Sequence, residues 1–245
     1  MATKRTRLDR YLSNALRINR KNVKPLLAAG RVRVNGIIAR DADLLINQFA
    51  AVIVDDEVLP YEHAQYLMVN KPAGILSATK DASQRTVFCL LDATQHAGLH
   101  IVGRLDKNST GLLLLSNDGE WSRSLMAPEK HVEKTYIVGV KYAISEECVD
   151  AFAQGIHFPF EDIVTRPARL EVLAPRLARI TLTEGRYHQI KRMFGRFRNP
   201  VLSLHRIQIG AITLDPTLPS GAFRALANSE LERSAVRSGG SLPGA

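Results

Sequence analysis

Four consecutive leucines at residues 112–115 follow a polar loop that begins at Gly103. A short, unbroken apolar run next to turn residues is typical of a strand buried within a sheet. The loop ahead of this run places one carboxylate, Asp106, two residues after a cation, Arg104. An aspartate held at the end of a rigid strand can act as a nucleophile, and a nearby arginine can bind phosphate or a displaced base. The stretch therefore predicts an active-site loop that leads into a buried strand.

Taken alone, the same loop has a second interpretation. An aspartate followed by Asn, Ser, Thr and Gly is common in ordinary turns, where the side chain bonds to nearby backbone amides. Three further motifs favour the catalytic interpretation, because residues 103–119 resemble the catalytic signature of the bacterial ribosomal RNA pseudouridine synthases and the other blocks of that family follow in order. These blocks are Val-Asn-Lys-Pro-Ala-Gly at 69–74, Glu-Lys-Thr-Tyr at 133–136 and Glu-Gly-Arg-Tyr-His-Gln-Ile-Lys-Arg-Met-Phe at 184–194. The resemblance covers about residues 6–226.

The body of the chain shows short strands and a few helices without regular strand–helix–strand repetition. Helices are expected to begin at Asp118, at Ser145 and after Arg186, where capping residues precede apolar periodicity. This pattern predicts an α+β body with a largely antiparallel sheet, and the resemblance implies a mixed central sheet with a cleft across it. The predicted strands are residues 65–70, 111–115, 134–140, 169–173, 179–182 and 204–214.

The resemblance assigns roles to individual residues. Asp106 matches the catalytic aspartate of the family, Lys191 matches the basic partner of that carboxylate, and Tyr136 matches the tyrosine that stacks on the extruded uracil. Without the resemblance, Lys191 would be a solvated helix residue and Tyr136 a packing residue in a strand. The residues expected to contact RNA in the cleft are Arg104, which would fill the space left by the flipped nucleotide, and Lys71, Arg186 and His188.

Positive charge is concentrated at the start of the chain. Residues 1–40 contain 11 Lys and Arg but only one acid, Asp9, whereas the net charge of the whole chain is +9. Such a distribution predicts a module that binds a polyanion, attached to a nearly neutral body. A disordered basic arm is the alternative. It is less consistent with the helical apolar stripe formed by Leu8, Tyr11, Leu12, Ala15 and Leu16.

Turn and capping residues complete the outline of this module. Asn19 is a plausible cap for a second helix, Gly30 can end it in the left-handed conformation, and Asn35-Gly36 suits a tight hairpin. Two short helices followed by a hairpin resemble the S4 domain, a small α/β RNA-binding module. On that resemblance the RNA-binding residues would be Arg7, Arg10, Arg20, Lys21, Lys24, Arg31 and Arg33.

These observations divide the chain into four segments. We expect an S4-like RNA-binding domain at 1–60, a linker at 61–65, a pseudouridine synthase catalytic domain at 66–233 and a disordered tail at 234–245. The length of 245 residues suits a small module followed by one larger domain.

Several classes of protein do not fit the sequence. The chain has no leader-like N-terminus and no apolar run of about 18 residues, so we expect a cytoplasmic protein that does not bind membranes. Cys89 and Cys148 lie far apart without nearby metal-ligand spacing, and no Gly-rich phosphate-binding loop is present. We therefore expect no metal, no nucleotide cofactor and no disulfide, and a monomer.

The blocks around Trp121, Tyr136 and His188 most resemble the branch of the family that modifies one uridine in 16S ribosomal RNA. The predicted partner is accordingly 16S rRNA or a small-subunit assembly particle. Three alternatives remain open: a 23S rRNA pseudouridine synthase, a non-catalytic RNA-binding assembly factor, and a glycosidase that uses Asp106 and Glu184 as its carboxylate pair.

Overall fold

A computed structural model describes residues 5–92 and 98–238, with the side chains of residues 235–238 excepted. The chain forms two compact units whose main boundary falls between Ala64 and Gln65. The predicted linker at 61–65 spans this boundary. Each unit buries its own apolar residues in separate core clusters.

The first unit contains two helices and six short strands. Their bounds are β1 Arg5–Arg7, α1 Leu8–Leu16, α2 Val23–Ala28, β2 Val32–Val34, β3 Ile37–Ile38, β4 Leu45–Asn47, β5 Val52–Val54 and β6 Glu57–Val58. Four strands form one sheet in the order β3-β2-β5-β6, and β1 pairs with β4. The apolar residues of both helices pack against this framework in a single core.

Local sequence signals account for most of this unit. Leu8 and Leu12 are fully buried on one face of α1, as their spacing predicts. Asn35 and Gly36 have φ angles of 49° and 80°, the left-handed geometry of a tight hairpin turn between β2 and β3. The helix predicted after Asn19 begins later, because a 3-10 turn at Arg20–Asn22 intervenes.

The position of the boundary changes the distribution of charge. The segment between residues 41 and 64 contains six acids and no Lys or Arg, so residues 1–64 carry a net charge of +4 and residues 65–245 carry +5. The expectation of a nearly neutral body was therefore wrong. The positive excess of residues 1–40 is partly balanced by the six acids at 41–64, which belong to the same unit.

The second unit contains the remaining helices and strands. Their bounds are β7 Tyr66–Lys71, β8 His100–Val102, β9 Thr110–Ser116, α3 Gly119–Met126, β10 Lys134–Val140, α4 Glu146–Gln154, β11 His157–Phe158, β12 Ile163–Val164, β13 Arg169–Ala174, β14 Leu177–Leu182, α5 Gln189–Gly195, β15 Val201–Ile209, β16 Ile212–Thr213, β17 Phe223–Ala225 and α6 Asn228–Ser238. Single 3-10 turns occur at Val87–Leu90 and Pro128–Lys130. None of the helices in the described ranges is long and apolar enough to cross a bilayer.

A nine-stranded sheet forms the centre of this unit. Seven strands follow the order β13-β14-β10-β15-β9-β7-β17, while β8 pairs with β9 and β16 pairs with β15. Among the described strands, β9 and β15 are the only parallel pair; all others run antiparallel. The predicted α+β fold with a largely antiparallel mixed sheet is confirmed.

The four leucines of β9 lie in the middle of this sheet. All four are fully buried. Because successive side chains of a strand point to opposite faces, Leu113 and Leu115 belong to one core cluster and Leu112 and Leu114 to another. Apolar side chains therefore cover both faces of β9, which makes it a rigid support for the loop that precedes it.

Two expectations about the end of the chain were wrong. The strand predicted at 204–214 is a hairpin, because Gly210, with a φ angle of 57°, turns the chain between β15 and β16. The tail predicted from residue 234 begins too early, since α6 continues to Ser238. Ser234 is buried, and its Oγ accepts a hydrogen bond of 3.2 Å from Nε1 of Trp121. Residues 239–245 lie outside the described ranges.

Gly111 enables the close approach of β9 to β15. Its φ angle is 97°, and a Cβ at this position would lie 2.3 Å from the carbonyl oxygen of Arg206. We expect Gly111→Ala to lower the free energy of unfolding by at least about 3 kcal/mol, through backbone strain and steric conflict. Gly195→Ala is the control, since nothing lies within 4 Å of its Cβ position; it should be neutral or stabilise by up to about 1 kcal/mol. Urea denaturation measures both, and equal stabilities would contradict the prediction.

Candidate active site

Asp106 is the carboxylate at the centre of the candidate site. It lies in the loop that leads into β9, and its side chain is 28% exposed. Its Oδ2 accepts a hydrogen bond of 2.6 Å from Nζ of Lys191 in α5, and its Oδ1 lies 3.5 Å from Nε2 of His188, which caps the same helix. Residues some 85 positions apart in sequence thus form one cluster, which brings together the predicted carboxylate and its predicted basic partner.

The backbone of the loop is fixed from below by Lys71. This lysine is completely buried at the end of β7. Its Nζ lies within hydrogen-bond distance of four carbonyl oxygens, those of Pro72 at 3.0 Å, Asp106 at 3.2 Å, Lys107 at 3.0 Å and Ser109 at 2.8 Å. The prediction that Lys71 contacts RNA was therefore wrong. Its ammonium group is fully occupied by the backbone that carries Asp106.

Arg206 holds both ends of the same loop. Its side chain is buried in β15 and donates hydrogen bonds to the carbonyl oxygens of Gly103 at 2.8 Å, Arg104 at 3.3 Å and Leu112 at 2.8 Å. The register between β10 and β15 shifts next to this residue, at the position where Tyr136 pairs with Arg206. This residue was not predicted from the sequence. A charged side chain in the middle of a predicted strand was the signal that could have indicated it.

These buried cations influence one another. Burial lowers the pKa of Lys71 to about 8; Asp106 opposes this effect and Arg206 adds to it. Burial and Arg206 also lower the pKa of Lys134 to about 8. Lys134 is 7% exposed, and its Nζ donates a hydrogen bond of 2.8 Å to the carbonyl oxygen of Val132. Three cationic side chains, those of Lys71, Lys134 and Arg206, are thus buried in the sheet near the Asp106 loop.

A cavity of about 100 Å³ opens beside Asp106. Tyr136, which is 7% exposed, lines it from β10, and Lys191 lines it from α5. The cavity is lined by six of the residues predicted for the site, namely Arg104, Asp106, Tyr136, Arg186, His188 and Lys191. Lys71 is absent from the wall, because it is buried beneath the loop.

Glu184 stabilises the wall of this cavity. One carboxylate oxygen accepts hydrogen bonds from Nε2 of Gln189 at 2.6 Å and from the backbone amide of Arg166 at 2.9 Å. The other accepts a bond of 3.0 Å from Nε of Arg186. A glycosidase would need this carboxylate as the partner of Asp106. Three hydrogen bonds instead commit it to holding Arg186 and the start of α5.

The basic residues predicted for RNA binding in the first unit fall into two groups. Arg7 and Arg20 pair with Asp9 at 3.0 and 2.6 Å and lower the pKa of that carboxyl to about 2. Arg7 also pairs with Asp43, and Arg31 pairs with Asp55. Within the described ranges, the remaining four have exposed side chains without an ion-pair partner; they are Arg10, Lys21, Lys24 and Arg33.

Comparison with known proteins identifies the second unit. The family model for RNA pseudouridylate synthases matches residues 65–195, more than half of the chain, and includes the Asp106 loop, β10 and α5. The chain belongs to this family. The synthase thus carries its Asp106 cluster within the part of the sequence that defines the family.

Individual relatives resemble the synthase over nearly its whole length. A protein named ribosomal small subunit pseudouridine synthase A from Pseudomonas aeruginosa is 49% identical, covering 92% of this chain and 98% of the relative. The Escherichia coli protein of the same name is 39% identical with the same coverage. A solved structure described as a pseudouridylate synthase is 37% identical, with a TM-score of 0.68, and covers 93% of this chain and 99% of its own.

The buried charge of Lys134 should make the stability of the synthase depend on pH. A lysine in an unfolded chain has a pKa of about 10.4, so between pH 8 and 10 the unfolded state binds more protons and stability rises with pH. We expect Lys134→Met to reduce the slope of unfolding free energy against pH by up to about 1.4 kcal/mol per pH unit.

Urea denaturation at pH 8, 9 and 10 measures this slope. Lys141→Met, which replaces an exposed lysine of the same unit, should leave the slope unchanged. Parallel curves for the wild-type protein and Lys134→Met would contradict the prediction.

Proposed function

We propose that the synthase converts one uridine of 16S ribosomal RNA to pseudouridine, with Asp106 as its catalytic carboxylate. The observation that carries the proposal is the pairing of Asp106 with Lys191 at 2.6 Å, beside a cavity that Tyr136 lines. The choice of the small-subunit RNA rests on the names of the relatives from Pseudomonas aeruginosa and Escherichia coli.

The reaction breaks the glycosidic bond from the ribose to N1 of uracil, turns the released base and joins it to the ribose through C5. One proton leaves C5 and one is gained at N1, so the product is an isomer of the substrate and the chemistry requires no cofactor. Asp106 acts at the sugar or the base, and Lys191 holds its carboxylate in place by Coulombic attraction. The flat ring of Tyr136 gives the uracil a surface against which to turn.

Access to such a site requires the target nucleotide to leave its stack. Arg104 is exposed at the mouth of the cavity, two residues from Asp106, and fits the role of filling the vacated space. Arg186 and His188 also line the cavity, where they would contact the flipped nucleotide or its phosphate. These three residues form the proposed RNA-contacting rim.

The first unit is proposed to be an S4-like module that binds RNA phosphates. Among the predicted RNA-binding residues of this unit, Arg10, Lys21, Lys24 and Arg33 are the best candidates for these contacts, because Arg7, Arg20 and Arg31 already bind carboxylates. Such contacts fix position on the RNA without reading its sequence. We further propose that the synthase acts as a monomer in the cytoplasm, on 16S rRNA or on an assembling small-subunit particle.

Pseudouridine mapping tests the reaction and the substrate together. The protein is incubated with unmodified 16S and 23S transcripts and with partly assembled small-subunit particles. We expect one new site in the 16S material and no site with Asp106→Asn, because the amide cannot replace the carboxylate. A site in 23S RNA alone would overturn the 16S assignment.

RNA affinity separates a loss of chemistry from a loss of binding. Asp106→Asn and Lys191→Ala should both bind RNA as tightly as the wild-type protein, while Lys191→Ala lowers the single-turnover rate at least about 100-fold. Tight binding of the wild-type protein without modification of any RNA would favour the assembly-factor alternative.

The salt dependence of binding tests the first unit. Lys21 and Lys24 lie on neighbouring turns, and each neutralised phosphate contributes about 0.7 to 0.9 to the slope of log affinity against log salt. The double variant Lys21→Ala/Lys24→Ala should therefore reduce this slope by about 1.4 to 1.8. Arg31→Ala is the comparison and should change the slope less, because Arg31 already pairs with Asp55. An unchanged slope for the double variant would contradict an RNA-binding role for these lysines.

A further inference from the structure

Tyr187 presents an aromatic ring to solvent at the edge of the active site. The residue is 77% exposed, whereas tyrosine rings are usually partly buried against the protein. The ring of His188 stacks on it, with the ring centroids 3.9 Å apart and the planes inclined by 20°. One face of the tyrosine is thus supported, while its high exposure leaves the other available.

The backbone at His188 fixes the orientation of this pair. His188 has a φ angle of 50°, a conformation that residues other than glycine adopt infrequently. It immediately precedes α5, and its Nε2 lies 3.5 Å from Oδ1 of Asp106. The imidazole therefore contacts Tyr187 with its face and approaches the catalytic carboxylate with its edge. A planar group stacked on the free face of Tyr187 would be separated only by the tyrosine ring from His188, the residue that approaches Asp106.

A groove of about 360 Å³ runs past this pair. Arg104, Lys107 and Arg186 contribute cationic side chains to its lining, and Asp106 also lines it. Arg104 and Lys107 are exposed, and no carboxylate within the described ranges pairs with either. Cationic side chains next to an open aromatic face are the combination that binds single-stranded nucleic acid, since the cations attract phosphates and the ring stacks on a base.

We propose that Tyr187, supported by His188, is a stacking platform for an unpaired nucleobase next to the target uridine. The proposal rests on the function proposed above and names a second base-binding position of the same site, outside the cavity that Tyr136 lines. The platform holds the RNA strand after the target nucleotide has left its stack, because the neighbouring base exchanges its former stacking partner for Tyr187. The platform also keeps the His188 ring between Tyr187 and Asp106, which restricts the position of its Nε2.

Substitutions at Tyr187 test the contribution of the platform to affinity. Binding is measured by fluorescence anisotropy with a 16S fragment that contains the mapped site, in an Asp106→Asn background so that no turnover occurs. Because the stacking of a base on an aromatic side chain contributes to the binding free energy, Tyr187→Ala should raise the Kd about 5- to 150-fold. Tyr187→Phe, which keeps the ring, should restore most of the affinity.

Tyr142→Ala provides a matched control. Tyr142 is another exposed tyrosine of the second unit, 53% exposed, and it contacts Lys141 rather than the candidate site. Its removal should leave the Kd unchanged. Because both tyrosines are exposed, all three variants are expected to unfold at the same urea concentration as the parent protein, which separates binding from folding.

A fluorescent base locates the stacked nucleotide. 2-Aminopurine replaces either the nucleotide immediately before the target or the one immediately after it, in separate RNA fragments. We expect quenching at one of these positions with the parent protein and with Tyr187→Phe, and recovery of fluorescence with Tyr187→Ala. Quenching that persists in Tyr187→Ala, or a Kd unaffected by that substitution, would overturn the platform.

Pseudouridine formation by Tyr187→Ala in a protein that retains Asp106 distinguishes failure of the platform from failure of the proposed function. If the wild-type protein forms pseudouridine and Tyr187→Ala binds and reacts as well as it does, the platform is wrong while the function stands. If the wild-type protein modifies no RNA, the proposed function fails, and with it the assignment of a base next to a target uridine.

Discussion

The geometry of the candidate active site depends on two buried cations that bind backbone oxygens. Lys71 reaches the carbonyl groups after β7 and within the Asp106 loop, and Arg206 reaches those at both ends of that loop. Burying a charge is unfavourable unless its hydrogen bonds are satisfied. Here several carbonyl dipoles satisfy each cation, so removing either would leave a set of buried acceptors unpaired. The position of Asp106 is therefore coupled to the integrity of the sheet.

The second component of the site comes from α5, which lies far from the loop in sequence. Its buried face packs Ile190, Met193 and Phe194 into the core, so Lys191 is directed to Asp106 by the rotation of the helix. Glu184 holds the turn that precedes this helix. The carboxylate and its ammonium partner thus belong to separately supported segments, and neither depends on a flexible loop for its placement.

Local patterns predicted the elements of this chain better than its long-range contacts. The stripe at Leu8 and Leu12 gave α1, Asn35-Gly36 gave the hairpin, and the leucine run gave β9, because each signal lies within a few residues. Family resemblance predicted the pairing of Asp106 with Lys191, which no spacing rule relates across 85 positions. Burial of Lys71 was not predicted, since three of its four acceptors come from a loop at least 35 residues away. The turn at Gly210 was missed because apolar residues continue on both sides of it.

Main-chain anchoring of the Asp106 loop also determines which of its residues can vary. The fixing contacts are made to carbonyl oxygens, which every amino acid provides, while the side chains of Lys107 and Asn108 are exposed. The shape of the loop is thereby separated from the identity of those two residues. Substitutions at these two positions would leave the anchoring hydrogen bonds of the backbone in place. The charge and size of the loop surface can therefore change while Asp106 keeps its position relative to Lys191.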